Sequence, residues 1–593
     1  MTAVTDCNGR PYPVYSIGTV SGCEQALGAK PEKSVYNLKI KICADSVQLP
    51  LPGQFFMLRS EKSGCLLARP ISVFHSEKLS NCIELSFLIL QKGKGTLELC
   101  NLGTDDRVSI LGPLGNVFPV PQKEQKVCII GGGIGVAPVA GFAESLPDFS
   151  YDFFASFKSG SYGLEHIKPK NLTITTDDGS VGIHGMLPVA INEQTLKNGG
   201  YSAVYACGPA PMLAYVKSIS EQAGIQCWLS MEARMACGVG VCLGCVIPTT
   251  KGNLRCCKEG PVFDSKILSF PKPQKKASNP PLTGEPDMSF SIKNVKFKNP
   301  VIGSSGTFGF GTEYSSVFDV NKLGGIASKG LTFEPRQGNS GIRLWETPSG
   351  LMNSIGLQNP GIPHFIENEL PQMLSLKPVA IANLSGSDLE SYVKGAELLE
   401  KTDVPVIELN ISCPNVSAGG AAFGMSCSSA STVVSAVRKA TSKPLIVKLT
   451  PQSPELNSVA ISCIEAGADG ISLCNSFQGV AIDVETGRPV FDKIKAGFGG
   501  PAVRPIAVRL IYELFEEIKR LPQEKQVPII AIGGIATWSD VVEFIMAGAD
   551  GVEVGTNTFA NPLTMIECIE GLRTFMIRKG YSSLSQIKGL AHK

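Results

Sequence analysis

The second half of the chain alternates between apolar strand candidates and helical stretches, and this alternation constrains the fold more than any other feature. Most strand candidates are followed by a helical stretch such as DLESYVKGAELLE or WSDVVEFIMAG. Eight such strands over roughly 300 residues predict a C-terminal (β/α)₈ TIM barrel, with functional groups at the carboxyl ends of the strands. The strand candidates are VIGSS, GGIASKG, VAIANLSG, PVIELNIS, PLIVKLTP, GISLCNS, PIIAIGGI and GVEVGT.

A proline-rich stretch separates this barrel from an N-terminal half of different character. SFPKPQKKASNPPLTGEPD contains five prolines and no apolar periodicity, which is typical of an exposed, semi-stiff linker. We therefore predict a multidomain protein with a linker at 265–286 and the TIM barrel at 287–593. The N-terminal half is divided into three predicted domains, at 12–120, 121–224 and 225–264.

The N-terminal half begins with short strand-like segments and continues as an α/β pattern. VYNLKIKI, QFFMLR, IELSFLIL and RVSIL are separated by turn residues and predict a small antiparallel β-barrel. KVCIIGGGIGVAPVAGFAESL then reads as a strand, a glycine-rich turn and a helix, as in α/β nucleotide-binding domains. Further strand candidates are YDFFASF, NLTITT and YSAVYAC.

Composition excludes several classes of partner. The 593 residues carry a net charge of +2 with no basic stripe, which argues against a nucleic acid partner. The sequence has neither a signal-peptide pattern at its start nor an apolar run of membrane-spanning length. The 19 cysteines are then expected to be reduced thiols, with some in a metal or catalytic site, which favours a cytoplasmic location.

Cysteine spacing gives the most specific motif of the N-terminal half. Cys237, Cys242 and Cys245 have the C-x₄-C-x₂-C spacing of plant-type [2Fe–2S] proteins, and Cys257 follows as the fourth ligand. The interleaved glycines let the loop wrap closely around a cluster, with amides facing sulfur. Cys256 is the adjacent alternative for the fourth ligand. A zinc knuckle is a weaker interpretation, because it prefers paired C-x₂-C units.

Four short motifs of this half suit flavin and nicotinamide nucleotides. An Arg-Pro turn offers a cation and a hydroxyl to a flavin, and glycine-rich turns offer amides to phosphates. The glycine turn after the α/β strand ends in Pro138, so it is not a Rossmann G-x-G-x-x-G fingerprint. The candidate FAD-binding residues are Arg69, Pro70, Ile71, Ser72, Lys94, Gly95 and Thr96. The candidate NAD-binding residues are Gly132, Gly133, Gly135, Cys207, Gly208 and Pro209.

The order of these motifs resembles the ferredoxin-reductase superfamily, which places FAD on the β-barrel and NAD(P) on the α/β domain. With the segment Met235-Ala-Cys-Gly-Val-Gly-Val-Cys-Leu-Gly-Cys, residues 12–265 resemble the electron-transfer subunit of NAD-linked (class 1B) dihydroorotate dehydrogenases. The resemblance favours Cys257 over Cys256, because Cys257 lies at the family's offset before Gly-Pro-Val-Phe. It leaves the choice between NAD and NADP open.

The fourth barrel strand leads into the candidate catalytic motif, Asn410-Ile-Ser-Cys413-Pro-Asn415, and then into a Gly/Ser-rich stretch that could act as a lid. A thiolate can remove a proton next to a carbonyl, and asparagines can hold an amide- or urea-like substrate. Cys413 could instead be a buried structural cysteine. Lys329 and Lys448 end strands two and five, where a lysine needs a partner such as a flavin or a phosphate.

Residues 287–593 resemble class 1 dihydroorotate dehydrogenases over their whole length. The matching motifs include Ser-Gly-Thr-Phe-Gly at 305–309, Ala-Ser-Lys-Gly at 327–330 and Asn-Ile-Ser-Cys-Pro-Asn at 410–415. The resemblance implies that Cys413 is the base, whereas the quinone-linked class uses serine. The FMN-binding residues that it implies are Ser305, Gly306, Lys329, Asn383, Lys448, Gly499, Gly500, Gly533, Gly534, Gly555 and Thr556. The substrate-binding residues that it implies are Asn353, Asn410, Asn415, Asn475 and Ser476.

Together, the two resemblances imply oxidation of dihydroorotate to orotate in de novo pyrimidine biosynthesis. Electrons would pass from FMN through the [2Fe–2S] cluster and FAD to NAD⁺, and a homodimer through the barrel halves is expected. The chain departs from the family in carrying both halves in one polypeptide, so the halves could meet in cis or across protomers. The alternatives are a flavoenzyme that reduces another pyrimidine or an enone, and a reductase whose barrel only docks or carries electrons.

Overall fold

The computed structural model divides the chain into two compact units, Met1–Lys275 and Lys276–Lys593. It describes residues 12–29, 35–43, 47–122, 125–270, 280–412 and 423–593. The division falls inside the predicted linker of 265–286, but both ends of that stretch are packed. Leu268 is buried in the first unit, and in the second the Leu282 N–H donates to the Ile577 carbonyl at 2.8 Å. The linker is therefore narrower than predicted, since its terminal residues belong to the two units.

The first unit begins with the predicted antiparallel β-barrel domain. Its seven strands pair in the order β4-β3-β7-β1-β2-β6-β5 around a core of alternating inward side chains such as Leu38, Ile40 and Phe87. The strands are β1 Val14–Gln25, β2 Val35–Cys43, β3 Phe55–Ser60, β4 Arg69–Ser72, β5 His75–Lys78, β6 Cys82–Leu90 and β7 Arg107–Leu114. Helix α1, Lys94–Cys100, follows β6.

An α/β layer follows, with strand order β11-β10-β9-β8-β12-β13-β16. The central strands are parallel, and β8 has β9 on one side and β12 on the other. The strands are β8 Val127–Gly132, β9 Tyr151–Phe157, β10 Asn171–Thr176, β11 Ile183–His184, β12 Ala203–Cys207, β13 Gln226–Ser230 and β16 Val262–Asp264. The helices are α2 Val136–Glu144, α3 Glu193–Gly199 and α4 Ala210–Ala223.

The cysteine-rich segment is inserted between two strands of this α/β sheet. It contains one hairpin of its own, β14 Val246–Thr249 and β15 Gly252–Arg255. The segment starts after β13 and returns at β16, which pairs antiparallel with β13. The predicted boundary at residue 225 therefore lies too early, since β13 completes the parallel sheet beside β12.

The second unit contains the predicted TIM barrel, and all eight predicted strands form it. They close in the order β19-β20-β23-β24-β25-β26-β31-β32, and every neighbouring pair is parallel. The strands are β19 Val301–Gly303, β20 Gly325–Ala327, β23 Val379–Leu384, β24 Val406–Asn410, β25 Leu445–Lys448, β26 Gly470–Leu473, β31 Ile529–Ile532 and β32 Gly551–Val554.

Helices cover the outside of the barrel, and smaller strands close its ends. The hairpin β17 Phe290–Ile292 and β18 Val295–Phe297 packs on an apolar interior layer with Ile381, Val406 and Ile446. A second sheet has the order β21-β22-β30-β27, and a short ribbon pairs β28 with β29. Their bounds are β21 Leu344–Thr347, β22 Gly350–Asn353, β27 Phe477–Val480, β28 Ile482–Asp483, β29 Arg488–Pro489 and β30 Lys495–Gly499. The helices are α5 Ile362–Asn368, α6 Leu370–Leu374, α7 Leu389–Glu400, α8 Cys427–Ala440, α9 Leu456–Glu465, α10 Arg504–Arg520, α11 Trp538–Ala547, α12 Asn557–Ala560 and α13 Thr564–Lys579.

No helix within the described ranges is both long enough and apolar enough to cross a membrane.

Candidate active site and electron-carrier sites

The predicted site residues of the second unit gather at the carboxyl ends of the barrel strands. Strand alternation produces this arrangement, because every second residue points inward. The inward positions are apolar near the hairpin end and become polar one step later, as in Val406 followed by Glu408 and Ile446 followed by Lys448. The polar layer is therefore set by the strand sequences themselves.

A buried lysine with two buried glutamates forms the centre of this polar layer. Lys448, Glu408 and Glu553 are 4%, 0% and 2% exposed. Lys448 Nζ lies 2.9 Å from Glu553 Oε2 and 3.3 Å from Glu408 Oε2. Burial disfavours the charge on Lys448, but the two carboxyl groups raise its pKa above the ordinary value. Lys448 is therefore held as a cation inside the barrel.

Hydroxyl and amide groups complete the surroundings of the two glutamates. Ser472 Oγ donates to Glu408 Oε1 at 2.7 Å, and Asn383 Nδ2 donates to Glu408 Oε2. Ser304 Oγ donates to Glu553 Oε2 at 3.0 Å. Burial opposes ionisation of Glu408, yet Lys448 and these donors hold the pKa of Glu408 below its usual range.

A chain of hydrogen bonds runs from this charged centre to the loops above β24 and β26. Asn410 Nδ2 donates to Asn383 Oδ1 at 3.2 Å, and Ser412 Oγ donates to Asn410 Oδ1 at 2.7 Å. Asn475 Nδ2 then donates to Ser412 Oγ at 2.8 Å. Three predicted asparagines thus form one network, which holds their amides in defined orientations.

A second group of predicted residues lies where the small sheet meets the loop after β26. Asn353 ends β22, and its Nδ2 donates to the Gly497 carbonyl at 3.5 Å. A Cβ added to Gly497 would lie 2.4 Å from Ser476 Oγ, so Ser476 packs directly against this glycine. Asn353 and Ser476 therefore flank the same backbone segment of β30.

Cys413 and Asn415 lie outside the described residues, as do residues 416–422 of the predicted lid. The described chain stops at Ser412, whose hydroxyl is already fixed in the asparagine network. Their placement in the site therefore stays a prediction.

Glycines at the end of β30 and after β31 lie close to the residues that follow β32 and to the start of α10. A Cβ on Gly499 would lie 3.1 Å from Thr556 Oγ1, so backbone and hydroxyl approach closely. Gly534, with φ of +77°, packs against the backbone of Arg504, where α10 begins. Among the described residues, the buried Thr558 hydroxyl has no hydrogen-bond partner. Glycine turns, the start of a helix and an unpaired hydroxyl together fit the phosphate of FMN.

Two further predicted FMN-binding regions lie on the same rim. Ser305 and Gly306 follow β19, and Lys329 follows β20. The ammonium group of Lys329 forms no hydrogen bond or ion pair with any part of the chain that the structure describes. Lys329 is half-buried, and a cation in such a place needs a partner. This fits the prediction that Lys329 contacts FMN.

The first unit brings the two predicted FAD motifs together. Arg69 lies on β4, and the loop from Lys92 to Thr96 lies at the start of α1. A Cβ on Gly95 would lie only 2.3 Å from Arg69 Nε, so the guanidinium is stacked directly on this glycine. Thr96 Oγ1 accepts from the Lys92 and Gly93 amides at 2.9 and 3.1 Å, which fixes the loop.

The two predicted NAD motifs also meet. A Cβ on Gly135 would lie 2.6 Å from the Cys207 carbonyl oxygen, and a Cβ on Gly208 would lie 3.1 Å from Gly132 Cα. The two motifs follow β8 and β12, which are neighbours in the sheet. From β8 the chain continues to β9 on one side, and from β12 it continues to β13 on the other side. Such a switch point leaves a crevice at the carboxyl edge, the usual place for a nucleotide. Burial raises the pKa of the Cys207 thiol to about 12, so the thiol is neutral.

The predicted cluster ligands face a loop rich in amide donors. Backbone amides surround the Cys237 thiol, with the Cys242 N–H at 3.5 Å from its Sγ. Burial opposes ionisation, yet the amides of Cys242, Val239 and Val241 lower the pKa of Cys237 to about 6. Gly238 and Gly240 have φ of +72° and +89°, which lets this loop turn around the thiols. The donor set therefore suits anionic sulfur.

The two candidates for the fourth ligand have different surroundings. Cys257 lies near Cys245 and the Gly240 backbone, both of which act on the pKa of its thiol. Cys256 Sγ instead donates to the Met231 carbonyl oxygen at 3.2 Å. The Cys256 thiol is thus engaged by a backbone carbonyl, and Cys257 as the fourth ligand stays a prediction.

Sequence reasoning missed the two glutamates, together with Ser304, Ser412 and Ser472. In the sequence, Glu408 and Glu553 lie inside the strand candidates PVIELNIS and GVEVGT. A signal was available, because a carboxylate in an otherwise apolar barrel strand is rare unless it is paired.

Comparisons with known proteins cover both units. The family model "Dihydroorotate dehydrogenase" matches residues 288–576. "Iron-sulfur cluster binding domain of dihydroorotate dehydrogenase B" matches residues 232–269, and "Oxidoreductase FAD-binding domain" matches residues 29–118.

Curated relatives match the second unit along almost their whole length. The chain is 50% identical over 304 residues to "Dihydroorotate dehydrogenase B (NAD(+)), catalytic subunit" of Petrotoga mobilis, covering 51% of this chain and 99% of that protein. The proteins of the same description from Bacteroides thetaiotaomicron and Alkaliphilus metalliredigens are each 43% identical, and each match covers 51% of this chain and 98% of the relative.

Proposed function

Since the chain belongs to the NAD⁺-linked dihydroorotate dehydrogenase B family, with its electron-transfer and catalytic parts fused, we propose that it oxidises dihydroorotate to orotate with Cys413 as the general base. It is an NAD-dependent enzyme of pyrimidine biosynthesis with FMN, FAD and [2Fe–2S] cofactors. The observation that carries the proposal is the asparagine network at the barrel rim, which ends one residue before Cys413.

Cys413 is the proposed proton acceptor because it follows directly on this fixed network. Ser412 is buried and hydrogen-bonded to Asn410 and Asn475, so the backbone that leads into Cys413 is held in place. A base must lie within hydrogen-bonding reach of the proton that it removes, which requires such support. The thiolate would take the proton from the carbon next to the substrate carbonyl.

The asparagines are proposed to orient the substrate. Dihydroorotate has a ring with alternating N–H and C=O groups, and each asparagine amide offers both a donor and an acceptor. Asn410 and Asn475 are fixed through Ser412, while Asn353 and Ser476 flank β30. Asn415 is proposed as a further contact. Held in this way, the substrate carbon and the base need little reorganisation before proton transfer.

The polar layer is proposed to hold FMN, with Lys448 and Lys329 at its ring and the glycine turns at its phosphate. When bound, FMN takes the substrate hydride, and the [2Fe–2S] cluster and FAD carry the electrons on to NAD⁺. For the cluster we propose Cys237, Cys242, Cys245 and Cys257 as ligands. Arg69, Ser72, Gly95 and Thr96 are proposed at FAD, and the crevice between β8 and β12 at NAD⁺.

The family resemblance supports two coarser proposals. The protein is proposed to form a homodimer through its barrel halves and to reside in the cytoplasm. Sedimentation equilibrium of the purified protein checks the first, since a monomer at micromolar concentration would contradict it.

Anaerobic stopped-flow absorbance tests the proposed base. After mixing with dihydroorotate, the wild-type enzyme should bleach its flavin absorbance, and Cys413→Ala should slow this bleaching by about 10²–10⁴-fold. Cys413→Ser should retain partial activity that rises towards high pH, because a hydroxyl is a weaker acid than a thiol.

Cys427→Ala provides the matched control. Cys427 begins α8, a short distance along the chain. The flavin absorbance of the Cys427→Ala enzyme should bleach at the wild-type rate. NADH should bleach the first-unit bands of all three variants normally. A Cys413→Ala enzyme with wild-type bleaching would refute the base, and a wild-type enzyme that ignores dihydroorotate would refute the substrate.

A further inference from the structure

The Lys448 centre, formed by Lys448, Glu408 and Glu553, contains one more carboxylate than its cation can balance. Lys448 contributes one positive charge, while Glu408 and Glu553 contribute two negative charges when both are ionised. Their other hydrogen-bond partners, Ser304, Ser472 and Asn383, are neutral. An uncompensated charge in a barrel core is far more costly than a neutral acid.

The two carboxyl groups are close enough to resolve this imbalance between themselves. Both approach the same Nζ atom, at 2.9 and 3.3 Å, so the two carboxyl groups lie side by side around one cation. Two acids in such contact share one proton, as in carboxylate pairs generally. The centre then has no net charge, with one ammonium, one carboxylate and one carboxylic acid.

The hydrogen-bond donors decide which glutamate remains ionised. Glu408 receives hydrogen bonds from Ser472, Asn383 and Lys448, whereas Glu553 receives them from Ser304 and Lys448. An anion is better stabilised where it accepts more donors. Glu408 is therefore the better anion, and Glu553 is the acid that carries the proton.

We infer that Glu408 and Glu553 are positioning residues with unequal roles: an ionised Glu408 anchors Lys448, and a protonated Glu553 keeps the centre neutral. Lys448 has three N–H groups, and two of them point to these glutamates. The third remains for a group above the barrel core. The part of the inference that concerns FMN rests on the proposed role of Lys448, whereas the shared proton does not.

The pH dependence follows from the same arrangement. Burial, with the neighbouring Glu408 carboxylate, raises the pKa of Glu553 to about 8. Among the described residues, the other ionisable group that acts on Lys448 is the Cys474 thiol, whose pKa burial raises to about 12. Because the folded protein holds a proton that the unfolded chain releases near pH 4.5, the contribution of Glu553 to stability is complete below about pH 4.5 and is lost as pH rises through about 8.

Paired glutamine variants test the assignment. Glu553→Gln keeps the shape of a neutral acid with a donor, so FMN affinity at pH 7 should stay within about threefold of wild type. Glu408→Gln leaves Glu553, which has fewer donors, as the only carboxyl group that can ionise beside Lys448, so FMN affinity should fall by at least about tenfold. FMN dissociation constants, measured by fluorescence on the reconstituted full chain, report both effects.

Measurements on the FMN-free protein separate this inference from the proposed function. Its melting temperature should fall between pH 6 and 9, and Glu553→Gln should flatten this fall by removing the titrating group. The infrared C=O stretch of a buried carboxylic acid should be present in wild type and absent from Glu553→Gln.

The inference is overturned if that band survives in Glu553→Gln, or if both glutamine variants weaken FMN binding equally. It is also overturned if the two pH profiles of melting temperature coincide. If the band and the pH profiles behave as expected but neither variant changes FMN affinity, the shared proton stands and the role of Lys448 at FMN fails.

Discussion

Cys256 and Cys257 are neighbours in sequence, yet their thiols meet different surroundings. Both are almost fully buried, but one donates to a backbone carbonyl and the other lies near Cys245 and the Gly240 backbone. Sequence spacing could not separate them, because adjacent residues satisfy the same motif. The direction of a side chain depends on the local backbone, which here turns at Gly238 and Gly240.

Alanine variants of these two cysteines give a matched pair. Cys257→Ala should lose most of the visible absorbance and the reduced-state electron paramagnetic resonance signal of the cluster, because three ligands do not hold it. Cys256→Ala should keep both signals and cost only about 1 kcal/mol of unfolding free energy for a small cavity. Equal cluster loss in both variants would show that the cluster depends on the packing of this segment and not on ligation by Cys257.

The charged barrel centre shows the other limit of residue-level prediction. Lys448 and the asparagines could be predicted, because the family motif and their position at strand ends pointed to them. For Glu408 and Glu553 the sequence could show only that each carboxylate needs a partner. The partner itself could not be predicted, since the strands lie far apart in sequence and meet only when the barrel closes. Their pairing with one lysine is a property of the closed barrel.

At the scale of elements, the sequence pattern predicted the strands that are buried on both faces. It missed some strands that have one exposed face. All eight barrel strands were predicted, because buried parallel strands read as continuous apolar runs. Strand β1 was missed, since VYSIGTVSGCEQ mixes exposed and buried positions and bends at a register shift near Gly22. Strand β13 was assigned to the cysteine segment, because only its pairing with β12 places it in the sheet.

Glycine positions in α1 give an element-level prediction about FAD. Gly95→Ala would place a methyl group 2.3 Å from Arg69 Nε, so the guanidinium must move. Because the guanidinium ends a flexible side chain, it can move at little cost in folding free energy, but its displacement should weaken FAD binding at least about fivefold. Gly93→Ala is the control, since a Cβ there meets nothing within 4 Å. Equilibrium dialysis of FAD against both variants measures the difference. Identical affinities would contradict a role for the Arg69–Gly95 contact in FAD binding.

At the scale of the whole molecule, each of the two units has its own hydrophobic cores and its own predicted sites. The barrel unit matches separate catalytic subunits along nearly their whole length, and the first unit contains the FAD, NAD and cluster motifs. We therefore expect fusion to act mainly on how often the two units meet, and to leave the chemistry of each site unchanged. A tether raises the effective concentration of one partner around the other, to the millimolar range for a short flexible link.

Cleavage of the tether tests this view of the fusion. A protease site inserted between Phe270 and Pro280 leaves the described contacts of both units intact. We expect NADH to bleach the first unit, and dihydroorotate to reduce the second, at unchanged rates after cleavage. The coupled reaction from dihydroorotate to NAD⁺ should become dependent on dilution, falling at nanomolar protein while the uncut enzyme keeps constant specific activity. Coupled activity that survives dilution would mean that the units bind each other tightly without the tether, and loss of either half-reaction would mean that the units do not function independently.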